Sequence, residues 1–330
     1  MSYELIEIKR VLELNPVGYG PSFRQVDLGS VSGRIRGERR EYPLLGFVFG
    51  PDDPTLPTLG LFGGVHGLER VGTHVVLAFL ESLVARLHWD ERLHEDLKSA
   101  RIVSVPLINP AGMAMGLRSN PQGIDLMRNA PVDAEIRTPW LMGGHRIGSW
   151  LPWYRGQKGA PMEPEIQAVE KFVRKEMFPS RTAIALDFHS GFGFLDRLWY
   201  PFSKSSGDFP RMREIRELER MFLETHPYHA YKIEPQCDSY AIHGDLWDYL
   251  FLEHAGSEYR ENVFLPWTLE MGSWQWVRKN LRQLLTPRSG LFEPVKPHRY
   301  KRAMRRHMGM IEFFHRTLLN DRKWRQTGEL

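Results

Sequence analysis

Cysteine is almost missing from this chain: its 330 residues hold one, Cys237. No intrachain disulfide can form and no cysteine-built zinc site is available, so any transition metal must be held by histidines and carboxylates. Long apolar runs are missing too. The longest, around Val75 to Leu80, falls far short of the roughly 20 residues that a membrane-spanning helix needs. At the start, the acidic residues of Met1-Ser-Tyr-Glu-Leu-Ile-Glu interrupt any stretch that would serve as the core of a secretion signal. The expectation is a soluble, cytoplasmic protein with no membrane partner.

An excess of one charge is also lacking, since 44 Lys and Arg stand against 40 Asp and Glu for a net +4, and nucleic-acid binding gains little support. Internal repeats, low-complexity tracts and Gly/Pro-rich linkers do not occur. The chain has no G-x-S-x-G elbow, no glycine-rich loop ending in Gly-Lys-Ser/Thr and no G-x-G-x-x-G, so serine hydrolases, P-loop NTPases and dinucleotide enzymes lack their signatures.

What is present is core-forming material, with 42% hydrophobic and 12% aromatic residues. One domain over 1–330 is expected, with an N-terminal extension over 1–40 and a terminal helix over 297–320 as parts of it. Short apolar stretches bounded by Pro, Gly and Asp predict strands over Tyr42–Phe49, Thr58–Phe62, Arg101–Ile108, Thr182–Phe188 and Phe264–Met271. Helical spacing predicts helices over Val71–Leu87, Glu163–Met177 and Met212–Thr225. Strands alternating with helices imply an α/β fold, a sheet sandwiched between helices. Pro131 to Tyr154 shows no periodicity and reads as a long surface loop, of the kind that often flanks a cleft. In Pro297–Asn320, Lys301, Arg302, Arg305 and Arg306 read as the solvated stripe of a docked helix.

His-x-x-Glu is a short pattern that 13 histidines will produce by chance, and His88 with Glu91, beside a charged helix end, is best read as solvent-exposed. His94-Glu95 starts like a zinc-protease helix but has Lys98 where the second His must stand. His66-Gly67-Leu68-Glu69 differs, because it follows an apolar strand and a Gly-Gly pair that lets the backbone turn sharply. Both side chains can then aim at one point above the sheet. His189 ends another predicted strand and is followed by small residues; alone, it also fits a satisfied core histidine. Two His nitrogens and one carboxylate oxygen would leave a fourth tetrahedral position open, as in a catalytic zinc site. Glu270 is a carboxylate on an apolar strand, costly to bury without a functional or ionic partner. The plain alternative is a strand-end Glu paired with an Arg. All four fall at carboxyl ends of predicted strands, where open α/β sheets gather ligands.

Taken in order from roughly Gly63 to Ser273, these segments resemble the zinc carboxypeptidase family. The resemblance implies that family's fold (phosphorylase/hydrolase-like), one Zn2+ per chain, and His66, Glu69 and His189 as metal ligands, with Glu270 as the base that activates water. Asn109-Pro110-Ala111-Gly112 resembles a family turn, and Arg118 after it matches the arginine that stabilises the oxyanion. Arg128 matches the arginine that grips the substrate carboxylate, although Met127 stands where the family has Asn. Asp125 matches a carboxylate that takes the remaining ring N–H of His66. Arg155 to Glu165 resembles the family loop before a helix, with Met162 in place of Ser. Tyr240 matches the mobile tyrosine over the substrate. Trp247 matches the base of the side-chain pocket, and Asp245 beside it would favour a basic group.

The implied activity is hydrolysis of an amide next to a carboxylate-bearing residue, on a peptide or a small amino-acid conjugate. A zinc-dependent N-acyl amino acid deacylase and an inactive binding protein of the same fold are the alternatives. The oligomeric state and the natural substrate are not legible.

Overall fold

A computed structural model of the protein describes residues 3–13, 23–35, 37–278, 292–294 and 296–326. Part of the N-terminal extension expected over 1–40 (residues 1–2, 14–22 and 36) lies outside them. Eight strands form one mixed sheet: β1 Phe23–Ile35, β2 Glu38–Phe49, β3 Thr58–Gly63, β4 Arg101–Val105, β5 Thr182–Ser190, β6 Asp196–Tyr200, β7 Tyr231–Pro235 and β8 Val263–Met271, in the order β1-β2-β4-β3-β5-β8-β6-β7. The centre, β4-β3-β5-β8, is parallel, while β1 and β2 are antiparallel to their neighbours and β6 runs antiparallel to β8. Strands β3, β5 and β8 are buried along their whole length. This explains their nearly continuous apolar sequence, since a central parallel strand has helices over both faces.

Helices Arg70–Arg86 and Met308–Leu319 pack on β3 and β5, and helix Leu246–Ala255 packs on β8. They cover opposite faces. Gly72 of the first helix meets Cβ of Phe188, whereas Trp247 of the third meets Phe62, which stands in register with Asp187 on the alternate face. The α/β sandwich read from the sequence is therefore the observed architecture.

Several boundaries differ, each for a local reason. Strand β4 stops at Val105 because Pro106 follows. The terminal helix is two helices, Pro297–Arg306 and Met308–Leu319, broken at the buried His307. Lys301, Arg302, Arg305 and Arg306 are exposed as expected, and Arg306 also pairs with Asp196 at 2.8 Å. Strands β1, β6 and β7 were not predicted. Each lies at or near a sheet margin and mixes charges among its apolar positions, which erases the pattern of a buried strand.

Candidate metal centre and its cleft

Strand β3 ends at Gly63, and Gly64 turns with φ +67°, a conformation glycine adopts without steric cost. The next residues, His66 and Glu69, sit in the turn that opens helix Arg70–Arg86. Glu69 occupies the N-cap position but its side chain makes no cap bond, so the carboxylate is free to face the sheet. It accepts a 2.9 Å hydrogen bond from the backbone N–H of Ser190 at the end of β5. Asn109 ties the turn from behind: its Oδ1 accepts from Gly112 N–H, and its Nδ2 donates to the carbonyls of Val65 and Ser119.

Close approach of helix Arg70–Arg86 to β5 depends on Gly72. A Cβ there would lie 2.1 Å from the Phe188 carbonyl oxygen, which a rigid strand cannot yield. Gly72→Ala is expected to force the helix outward and destabilise the fold by roughly 1–3 kcal/mol, read as a lowered melting temperature. An unchanged melting temperature would refute the close-packing account.

Parallel pairing puts His189 of β5 directly beside Glu270 of β8. The donor atoms of His66, Glu69 and His189 all lie within 4.8 Å of one another, and the three residues are 2%, 4% and 5% exposed. Burial, with Arg118 next, pushes His66 well below its ordinary pKa and keeps its ring neutral; its Nδ1 is buried without a hydrogen-bond partner among the described residues. Burial opposes charge on Glu69, but His66, His189 and Arg118 together lower its pKa to about 2. His189 bridges two carboxylates, Nδ1 lying 3.2 Å from Glu69 Oε2 and Nε2 lying 2.9 Å from Asp187 Oδ2. Against burial, these raise its pKa well above the usual value. Two imidazoles and an ionised carboxylate, desolvated and converging, are the donor set of an open catalytic zinc site. The residues fit a zinc ion, whose binding would release the His189 proton held between the carboxylates.

Arg118 stands against the same donors. Its Nη1 donates to Glu69 Oε1 at 3.0 Å, its Nη2 meets His66 Nε2 at 2.8 Å, and its Nε donates to Asp125 Oδ2 at 3.0 Å. Burial works against its charge, but Asp125 and Glu69 hold its pKa above the ordinary range. Glu270, 5% exposed, accepts from the Phe192 N–H at 3.0 Å. Burial, and then the charge of Glu69, raise its pKa to about 8.

These residues line a cleft of about 390 Å³. Arg128, 3% exposed, lines it with Nε donating to the Met142 carbonyl. It is joined by Met127, Tyr240 and Asp245. Gly244, with φ +72°, allows the Tyr240 segment to close on Arg128, since a Cβ would lie 1.9 Å from the Arg128 carbonyl oxygen. Asp245 caps helix Leu246–Ala255 through Oδ1, while its Oδ2 is buried without a hydrogen-bond partner among the described residues, and burial raises its pKa to about 6. The long loop expected over Pro131–Tyr154 contributes Met142 and Trp153 to the wall.

Two expectations need correction. Trp247 is not at the base of the pocket. It is 2% exposed and lies under His189, its ring against Phe62 and its Nε1 donating to Asp187 Oδ2 at 2.8 Å. Asp125 does not hydrogen-bond His66: its Oδ1 is 3.7 Å from His66 Nδ1, and its oxygens are committed to Arg118 and to the Met127 N–H. The carboxylate that does hold a candidate ligand is Asp187, a residue absent from the sequence-based expectations. A buried acid two residues before His189 on the same strand, hence on the same face, was the available signal.

A sequence model described as zinc carboxypeptidase matches residues 35–272. The chain is 24% identical to carboxypeptidase D of Anas platyrhynchos over 227 residues, covering 66% of this chain and 13% of that protein. It is 33% identical to carboxypeptidase E of Caenorhabditis elegans over 152 residues, covering 42% and 31%. It thus spans less than a third of the length of either relative. Among solved structures, bovine thrombin-activatable fibrinolysis inhibitor, in complex with tick carboxypeptidase inhibitor, superposes with a TM-score of 0.67 at 18% identity, covering 97% of this chain and 100% of that one. Carboxypeptidase A of Helicoverpa armigera gives 0.64 at 16% identity, with coverages of 98% and 74%. At these identities the structural likeness is one of fold.

Proposed function

Because the chain belongs to the zinc carboxypeptidase family, we propose that it is a zinc-dependent hydrolase that releases a carboxylate-bearing residue from the end of a peptide. The observation that carries this reading is the convergence of His66, Glu69 and His189 within 4.8 Å, with Glu270 and Arg128 lining the same cleft. Zinc, when bound, supplies Lewis acidity and lowers the pKa of water.

The protein's own residues do the rest. Arg128 pairs with the carboxylate of the departing residue and thereby places the scissile amide. Glu270 takes a proton from the attacking water and returns it to the leaving nitrogen. Arg118, whose Nη groups already stand at the metal donors, stabilises the oxyanion. Tyr240 packs on Phe192 and Trp199 and covers the bound peptide.

Glu270 acts only when ionised, so activity is lost as pH falls through its pKa. Burial and Glu69 place that pKa at about 8 rather than 4.5, and bound zinc offsets the Glu69 contribution. The acid limb of kcat/KM is therefore expected between 4.5 and 8. A limb below the ordinary carboxylate value in a pH–rate profile would contradict this.

The direct test is metal content of the purified protein beside His66→Ala, followed by amino-acid release from a mixed peptide library. About one zinc per chain, lost in the variant together with C-terminal release, supports the reading; absence of metal from the wild type sinks it. A second reading, an N-acyl amino acid deacylase, is favoured by Met127, whose thioether in the cleft wall offers no donor to a peptide terminus. Zinc with hydrolysis of acyl amino acids and none of peptides would select it.

A further inference from the structure

We propose that Asp187 and Trp247 form a brace that fixes the His189 ring and so decides which of its nitrogens is offered to metal. This inference rests on the metal-site reading above but concerns two residues outside the ligand set.

Asp187 and His189 are two apart on β5 and share a face. Asp187 is fully buried, and one of its oxygens, Oδ2, receives both His189 Nε2 at 2.9 Å and Trp247 Nε1–H at 2.8 Å. The other, Oδ1, is buried with no hydrogen-bond partner among the described residues. With Nε2 committed to Asp187, the ring turns Nδ1 toward Glu69, 3.2 Å away.

No Lys or Arg pairs with Asp187 among the described residues, so the indole N–H is the donor that holds this carboxylate in addition to the histidine. Without it, the carboxylate keeps a single donor and can rotate about its side chain, taking the imidazole with it. Trp247 is itself held in place. Its ring meets Phe62 edge-on at 4.9 Å, and its backbone N–H is bound by the helix cap Asp245. The brace thus links β3, β5 and helix Leu246–Ala255 behind the candidate metal centre. It contrasts with His66, whose Nδ1 has no hydrogen-bond partner among the described residues. Partners that orient ligand imidazoles commonly tune metal affinity by 10–100-fold.

The test uses the full chain and zinc itself. Trp247→Phe keeps an aromatic ring against Phe62 while removing the N–H donor and part of the indole's volume, so melting temperature is read beside affinity; Asp187→Asn removes the charged acceptor. Zinc affinity of each metal-free protein is measured by competition with a chromophoric chelator. The His189 ring N–H of the zinc-loaded form is followed by 15N-edited NMR, with thermal melting to verify folding. Both variants are expected to fold and to bind zinc about 10–100-fold more weakly, with a His189 N–H that exchanges faster or shifts from its wild-type position. Wild-type affinity in Trp247→Phe overturns the brace while leaving the metal site standing. An affinity loss that tracks melting temperature with an unmoved His189 N–H also overturns it, because that would be a packing effect. Failure of the wild type to bind zinc overturns both readings.

Discussion

Glu270→Gln is expected to retain its fold and its zinc yet hydrolyse substrate about 10²–10⁴-fold more slowly, the range that a positioned general base contributes. The substitution is nearly isosteric. Its carboxamide oxygen can still accept the Phe192 N–H that Glu270 now accepts, so what disappears is the capacity to take a proton. It also removes a charge that burial and Glu69 oppose, so the variant should melt no lower than the wild type. Metal content, melting temperature and kcat measured together check this. Activity within tenfold of wild type would mean that some other group activates the water, and the assignment of Glu270 would fall.

Arg128→Ala carries the second large effect. The guanidinium is almost wholly inside the cleft, and among the described residues its one hydrogen bond is to the Met142 carbonyl, leaving its Nη groups for an anion. Losing one partner of a buried, hydrogen-bonded charge pair costs about 2–5 kcal/mol. That corresponds to roughly 30- to 4,000-fold in kcat/KM at about 1.4 kcal/mol per tenfold. The loss should appear on substrates with a free terminal carboxylate and be small on their amides, so paired free-acid and amide substrates measured with both enzymes decide it. Equal losses on both would show that Arg128 shapes the cleft without reading the carboxylate.

The parts of the site that could be read from the sequence share one physical property: they break the solubility rule of their surroundings. His189 and Glu270 stand in strands that are otherwise apolar, and His66 and Glu69 follow a Gly-Gly turn off such a strand. Burying such groups is costly enough that a ligand or partner has to be sought. Asp187 obeys the same rule and went without a role because its partner is another side chain of the same strand. Trp247 failed for a different reason. Motif spacing fixes position along the chain, but the side chain's direction is set by the helix that Asp245 caps, and two residues into that helix the indole points at the sheet rather than at the cleft. Strands β1, β6 and β7 escaped because marginal strands mix charge with apolar residues. Arg118's contacts with the metal donors follow from the backbone bond between its carbonyl and Gly67 N–H, a tertiary contact that no local pattern announces.

The order of the sheet has a consequence for a chain made from its N-terminus onward. Strands β5 and β6 are near in sequence, yet β8, made much later, lies between them. His66, Glu69 and His189 leave the ribosome well before Glu270 does. A growing chain can therefore gather the residues that grip a metal long before it owns the base that would put that metal to use. The site gains Glu270 only when the last strand enters the middle of the sheet, so an unfinished copy holds the candidate metal ligands without the base.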